Sequence, residues 1–268
     1  MKSSALQRVG VGLAVLAAAL TLCTAPAGAV TNGQPDGNGH PYAGVLVDDY
    51  ITPGYFQRFC SGTLIAPRVM LSAAHCFYGT PIDEVWASFD PVYRPGTSSL
   101  IHGTAVIDPS YSDYKGQYGR SNPRDIAVVH LDQAPPITPA KLPTAGLLST
   151  LDLRNHTLTA VGYGRTRVDT RKGPNHIEPN FDPDVRYVAT SGVLNLVPYF
   201  VTLTSNPSTG YGGGCFGDSG SGDLLDRTDV VVSIEATGDA VCRAAGVSYR
   251  LDTAPARQFL ASQGVPLP

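Results

Sequence analysis

Charge is scarce in this chain. Asp, Glu, Lys and Arg together make up 15% of 268 residues, and only four of them are lysine. Nucleic-acid and anionic-membrane surfaces need a basic patch, and the formal net charge here is −3, so neither partner is expected. Disorder is excluded from the other side, because 43% hydrophobic content can bury a sizeable core. Runs of Ala, Leu, Glu and Lys are few, while 29 glycines and 22 prolines punctuate the chain, a balance that favours an all-β design with many turns. Metal-ligand spacings are missing: there is no Cys-x-x-Cys and no His-x₃-His, and His40, His102, His130, His156 and His176 are scattered. No metal and no cofactor are expected. Beyond Cys23 no apolar run reaches the roughly 20 residues needed to span a bilayer.

What is present begins with a distinct N-terminus. Lys2 and Arg8 precede the apolar stretch Val9–Cys23, and Ala27-Gly28-Ala29 follows. This is the layout of a secretory signal peptide cleaved after Ala29, too short for a comfortable membrane anchor. Cys23 invites a lipoprotein reading, but Leu22 stands where a small residue is wanted. Cleavage leaves residues 30–268, with 17 basic against 22 acidic residues once Lys2 and Arg8 are lost. Secretion places Cys60, Cys76, Cys215 and Cys242 in an oxidising compartment. Four cysteines allow three pairings. Joining sequence neighbours would close two short loops, each contributing about 3 kcal/mol in the chain-entropy model.

Apolar runs of strand length recur between turn residues. A first set covers 43–47, 62–66, 68–74, 84–89, 102–107 and 125–131; a second covers 157–164, 185–196, 199–204, 221–225, 230–236 and 246–251. The Pro-rich segment 132–146 reads as a linker between two halves. Residues 252–262 carry a helix signal, with Asp252 or Thr253 as cap, Pro255 in the first turn, and Phe259 and Leu260 able to dock.

Three constellations carry chemistry. In "SAAHC" (72–76) small residues precede His75, leaving room beside its ring, and Cys76 can hold the turn; a core histidine capped by a disulfide is the bland alternative. Asp125 heads the β-forming run "DIAVVHL" (125–131), where a carboxylate can cap a turn or orient an imidazole. In "GYGGGCFGDSGSG" (210–222), Gly217 and Gly220 flank Asp218-Ser219. Glycines let backbone N–H groups converge in one concavity, and a serine there has oxyanion donors beside it.

Together these motifs resemble the chymotrypsin-like (trypsin-fold) serine endopeptidases, and Arg over Lys at 15 to 4 suggests the secreted bacterial type. The order His, Asp, Ser is that family's. "VGYGRT" (161–166) is similar to its Gly-Trp-Gly segment, with Tyr163 for Trp. The resemblance covers residues 30–268 and implies two packed six-stranded antiparallel β-barrels, about 30–135 and 146–251, with a short C-terminal α-helix at about 253–262. It implies a Ser219 nucleophile, a His75 base and an Asp125 orienter, with oxyanion donors from Gly217 and Ser219. It implies disulfides Cys60–Cys76 and Cys215–Cys242, and an ion pair between Asp218 and a free Val30 amine exposed by signal cleavage. Polypeptide substrates are implied, with a protein inhibitor as a further candidate partner and a monomeric state.

The expected substrate pocket comprises Gly213, Gly214, Phe216, Ser233, Glu235 and Gly246. It departs from the family pattern. Gly213 stands where trypsins carry a floor Asp, Glu235 replaces a Gly, Ile234 a Trp and Ser221 a Gly. A third disulfide found in animal relatives is missing beside 205–214. Three readings of Glu235 stay open: attraction of a basic side chain, partial blockage, or simple solvation. Two rival functions follow, an inactive homologue that serves as a binding module and an esterase or lipase of another fold. The latter's Gly-x-Ser-x-Gly elbow fails at Ser221.

Overall fold

The computed structural model describes residues 30–82, 84–112, 124–165 and 184–268. The leader expected over 1–29 and His176 lie outside them. A short strand, β1 (Gln34–Pro35), is followed by β2 (Ala43–Asp48), β3 (Gln57–Ala66), β4 (Val69–Ser72), β5 (Glu84–Ser88), β6 (Ile101–Ile107) and β7 (Ala127–Leu131). Strands β2 to β7 close into an antiparallel barrel in the order β2-β3-β4-β7-β6-β5. The second set is β8 (Thr157–Gly162), β9 (Tyr187–Leu196), β10 (Phe200–Thr204), β11 (Gly222–Leu225), β12 (Val231–Gly238) and β13 (Ala245–Arg250). Because β8 pairs with both β9 and β11, these six also close, and β1 adds to β9 outside the ring. Two six-stranded barrels and a C-terminal helix are the architecture expected from the sequence.

The strands form where apolar and β-branched residues give each barrel an inside. Leu46, Leu64, Met70, Leu71 and Ile126 are fully buried in one cluster that also reaches Phe200 and Tyr249 of the second barrel. Each such side chain contributes about 1.5–3 kcal/mol of transfer free energy. The run 68–74 stops being strand at Ser72, because Ala74–Cys76 winds into a 3₁₀ turn. Strand β3 starts earlier than its apolar run, at Gln57, where polar residues pair with β2 beyond a bulge.

The Pro-rich linker is pinned to both halves. The Ala140 N–H donates to the Leu64 carbonyl, and Lys141 bridges Val230. Arg186, fully buried just before β9, adds a second tie. Its guanidinium binds the Asp36 carboxylate at 2.8 Å and donates to the carbonyls of Ala43 and Phe89 in the first barrel. Nothing in the local sequence flags that residue. A one-turn helix, α1 (Leu147–Thr150), follows the linker, and α2 (Ala254–Ser262) ends the fold. Thr253 stands at the N-cap of α2 without a side-chain cap bond, and Asp252 turns away to accept the Leu148 N–H and pair with Arg250. Phe259 and Leu260 are buried, as their spacing predicts.

Candidate active site

The site lies where the barrels meet. The tight turn after β4 holds His75, because Ala73 and Ala74 are completely buried and tolerate only small side chains. Asp125 lies two residues before β7, and β7 pairs with β4, so the ladder brings carboxylate and imidazole together. Both carboxylate oxygens are used: the His75 backbone N–H donates to Oδ1 at 2.9 Å, and His75 Nδ1 meets Oδ2 at 2.9 Å. A carboxylate only accepts, so the network assigns the proton to Nδ1 and leaves Nε2 as an acceptor. Asp125 is buried while the His75 side chain is 29% exposed, which opens the ring to solvent on one side.

The serine loop is bonded to β3 and packs on the same turn. The Ser219 carbonyl accepts the Ser61 N–H at 2.9 Å, and Cys76 Sγ lies 3.8 Å from it. Gly220 packs so tightly on Ser72 and Ala73 that a Cβ there would collide with both. Gly217 takes a φ of +98°, open to glycine alone at low cost, and its carbonyl is held by Ser61 Oγ at 2.9 Å. Among the described residues, neither the Gly217 nor the Ser219 N–H has an acceptor. Two disulfides brace the site, Cys60–Cys76 under the histidine turn and Cys215–Cys242 beside the serine loop. Cys60, His75 and Cys76 come within 4.8 Å of one another, but both sulfurs are consumed in the disulfide and offer no thiolate to a metal. The loop 205–214, without a third disulfide, is held by backbone bonds such as Gly212 N–H to the Thr190 carbonyl.

Asp218 is fully buried beneath this loop. Its carboxylate accepts N–H groups of Gly164 at 2.7 Å and Cys215 at 2.9 Å. Among the described residues no cation forms a salt bridge with it, and burial pushes its carboxyl up to about 7 against those two bonds. Val30 is fully buried against Ala160, Tyr187 and Ala189, and Thr31 exchanges two backbone hydrogen bonds with Gly213.

The pocket differs from expectation. A cavity of about 120 Å³ beside Ser219 is walled by Gly214–Phe216 on one side and Glu235–Asp239 on the other. Gly214, Phe216 and Glu235 line it; Gly213, Ser233 and Gly246 do not. The reason is Glu235, which crosses from one wall to the other. Its carboxyl rests on the Cα of Gly214 and accepts that residue's N–H at 3.1 Å. Gly213, cut off behind it, has no room for a side chain: a Cβ would lie 2.6 Å from Ser205 Oγ and 2.9 Å from Ser191 Oγ. Ser233 instead donates to Asp223 Oδ2 inside the barrel. Glu235 is 8% exposed, which rules out the solvated reading. Burial raises its carboxyl well above the usual range, and the nearby charges of Asp223 and Asp218 add to this.

Asp223, inside the barrel and near enough to raise the Glu235 carboxyl, was missed by sequence reasoning. Burial pushes it up to about 6, against the pull of the Ser248 and Ser233 hydroxyls beside it. Its position two residues past Ser221 in an alternating strand was the available signal. Ser61 was missed too; a serine beside a cysteine carries no mark of its role. Tyr163, in the Trp position of the Gly-Trp-Gly pattern, is fully buried and donates through its hydroxyl to the Asp90 carbonyl at 2.6 Å.

Known proteins give the same frame. Among solved structures, HL collagenase superposes with a TM-score of 0.67 at 18% identity, over 89% of this chain and all of that one. A mutant of human heparin binding protein superposes with a TM-score of 0.65 at 17% identity, over 89% and 99%. Such identities speak for the fold alone. A curated relative, Seminase of Drosophila melanogaster, is 30% identical over 124 residues; the match spans 46% of this chain and 42% of that protein. The Trypsin family profile matches residues 34–253, and the chain belongs to the trypsin family.

Proposed function

We propose that residues 30–268 form a secreted serine endopeptidase acting through Ser219, His75 and Asp125. The observation that carries this reading is the two-point grip of Asp125 on His75, set against a serine loop that is bonded to β3 and packed through Gly220 onto the start of the same turn. A grip at the backbone N–H and at Nδ1 fixes both the ring position and its tautomer. Nε2 then takes the Ser219 proton as Oγ attacks the scissile carbonyl, and returns it to the leaving amine. The free N–H groups of Gly217 and Ser219 receive the oxyanion. The acyl-enzyme on Ser219 is hydrolysed by water in the second half of the cycle. The substrates are polypeptides, a protein inhibitor is a candidate partner, and the protein acts as a monomer. The Arg-to-Lys bias remains the basis for a bacterial origin.

Activation follows from the chain start. The buried Val30 and the Thr31–Gly213 bridge favour an N-terminus at Val30, freed by signal cleavage, whose amine neutralises Asp218. N-terminal sequencing of the secreted protein tests this, and a start other than Val30 defeats it. Fluorophosphonate labelling of Ser219, abolished by Ser219→Ala, tests the peptidase reading. The occupied pocket is the observation that favours a binding module instead, and a correctly processed chain that resists labelling would establish it.

A further inference from the structure

The cavity beside Ser219 holds two carboxyl groups, Glu235 and Asp239, and no cation among the described residues that line it. Asp239 is consumed in capping its own loop through the N–H groups of Val241, Arg243, Ala244 and Ala245. Arg243, on that loop, does not line the cavity. Glu235 is not consumed in this way. Its carboxyl fills the place that a Gly214 side chain would take. Oε1 accepts the Gly214 N–H at 3.1 Å, and Oε2 has no hydrogen-bond partner among the described residues.

The groups behind Glu235 are acidic as well. Ser233, two residues earlier on β12 and so on the same face, donates to Asp223 Oδ2 of β11. Asp218 of the serine loop is fully buried. From β13, Ser248 lies opposite Glu235 in register and carries no charge. Arg250, two residues further along β13, is taken up by Asp252 and by the carbonyls of Val197 and Pro198. Glu235 is thus a carboxyl set among carboxyls, with one backbone N–H to answer a charge. Burial, then Asp223 and Asp218, raise its pKa well above the usual range, so the neutral acid is favoured while the cavity is empty.

Ser219 lines the same cavity, so the side chain that enters it belongs to the residue contributing the scissile carbonyl. An uncharged side chain meets Glu235 as the neutral acid, which offers one O–H. An ammonium or guanidinium group is answered only by the ionised form, because the other carboxylate on the wall is already engaged. The two kinds of side chain therefore demand different protonation states of one group.

We infer that a cationic side chain enters this cavity in exchange for a proton from Glu235, so that preference for the cation over an uncharged side chain of similar length grows with pH. The balance is closed: the carboxyl O–H breaks, the carboxylate remains to pair with the cation, and the proton passes to solvent. This rests on the proposed peptidase function and deepens it, by naming the condition under which the pocket takes a basic residue.

The test uses mature wild-type protein with internally quenched peptides that carry Lys or norleucine before the scissile bond. Lys stays charged up to about pH 9, its ordinary pKa being about 10.4. Protonation of His75 acts on both peptides alike and cancels in the ratio of their kcat/KM values. Exchange of one proton raises the Lys-to-norleucine ratio by up to about ten-fold per pH unit, and a rise of about ten-fold is expected from pH 6 to pH 8. Glu235→Gln keeps an acceptor for the Gly214 N–H but cannot titrate, so its ratio should stay flat. A flat ratio in the wild type overturns the inference and leaves the peptidase reading standing. A rise that survives Glu235→Gln overturns it too, because the proton then comes from another acid. A second arm is independent of chemistry: Ser219→Ala protein is titrated calorimetrically with both peptides near pH 7, in buffers of different ionisation enthalpy. The Lys peptide should release protons on binding and the norleucine peptide none. If no peptide is cut and Ser219 does not label, the peptidase reading fails and this arm decides alone. Absence of binding, or binding of the Lys peptide without proton release, overturns the exchange.

Discussion

The interiors of the two barrels are built on different terms. The first barrel is filled by Leu46, Leu64, Met70, Leu71 and Ile126, and buried hydroxyls near its seam are satisfied: Ser72 Oγ donates to the Ser61 carbonyl, and Thr63 Oγ1 accepts the Gly222 N–H. The second barrel buries Asp218, Asp223 and Glu235 together with Ser221, Ser233 and Ser248. Ser221 Oγ, Ser248 Oγ and Asp223 Oδ1 have no hydrogen-bond partner among the described residues. Ser248 lies beside Asp223 but outside bonding geometry. One barrel is a scaffold that carries His75 and Asp125, and the other accepts an electrostatic cost around Ser219. The candidate catalytic residues are thus shared between two halves of similar topology, while the electrostatic cost falls on one of them.

The strongest way to break this division is to show that chemistry does not need both halves. Ser219→Ala and His75→Ala, one in each half, are each expected to lower kcat by about 10⁵–10⁶-fold, and the double variant by no more, since the residues act as a unit. Steady-state cleavage with active-site titration checks this. Thermodynamic stability should respond in the opposite pattern. Leu64→Ala in the first barrel is expected to cost about 2–5 kcal/mol in denaturant unfolding, because it leaves a cavity in a close-packed core.

In the second barrel the response depends on pH. Asp218 and Asp223 have folded-state pKa values of about 7 and about 6, both above the unfolded value of 3.8. The folded state therefore holds more protons between pH 4 and 7, and stability falls as pH rises through that window. For a chain still extended upstream of Val30, Tm should drop by about 5 °C or more from pH 5 to pH 8. Asp223→Asn should shrink this drop, and freeing the Val30 amine should shrink the part due to Asp218. A pH-independent Tm in the extended chain would remove the contrast between the barrels. The smallest effect is expected at the pocket. Glu235→Ala opens the cavity toward Gly213, and kcat/KM for long side chains preceding the scissile bond should rise by about ten-fold in a peptide-library profile, against little change for alanine.

The strands were legible because apolar runs between turn residues report burial directly; each of the twelve segments yields one strand. The pairing of His75 with Asp125 and the tight turn around Ser219 were legible because each residue sits in a short motif whose local demands, small neighbours or flanking glycines, are written beside it. Glu235 was not, because its role depends on what faces it across the pocket, and Gly214 is 21 residues away in sequence.

The Thr31–Gly213 bridge has a further consequence for how this protein is made. Its two hydrogen bonds fix one register, and a slip by a single residue would turn Val30 from the interior to the opposite face. On the proposed processing, the pairing works as a ruler for the leader peptidase. A cut one residue early or late shifts the new amine by about 3.3 Å along the strand. Asp218 would then keep its buried charge unanswered. Fidelity of export and competence of the enzyme would be read by the same two bonds, so mis-trimmed chains would identify themselves by staying silent.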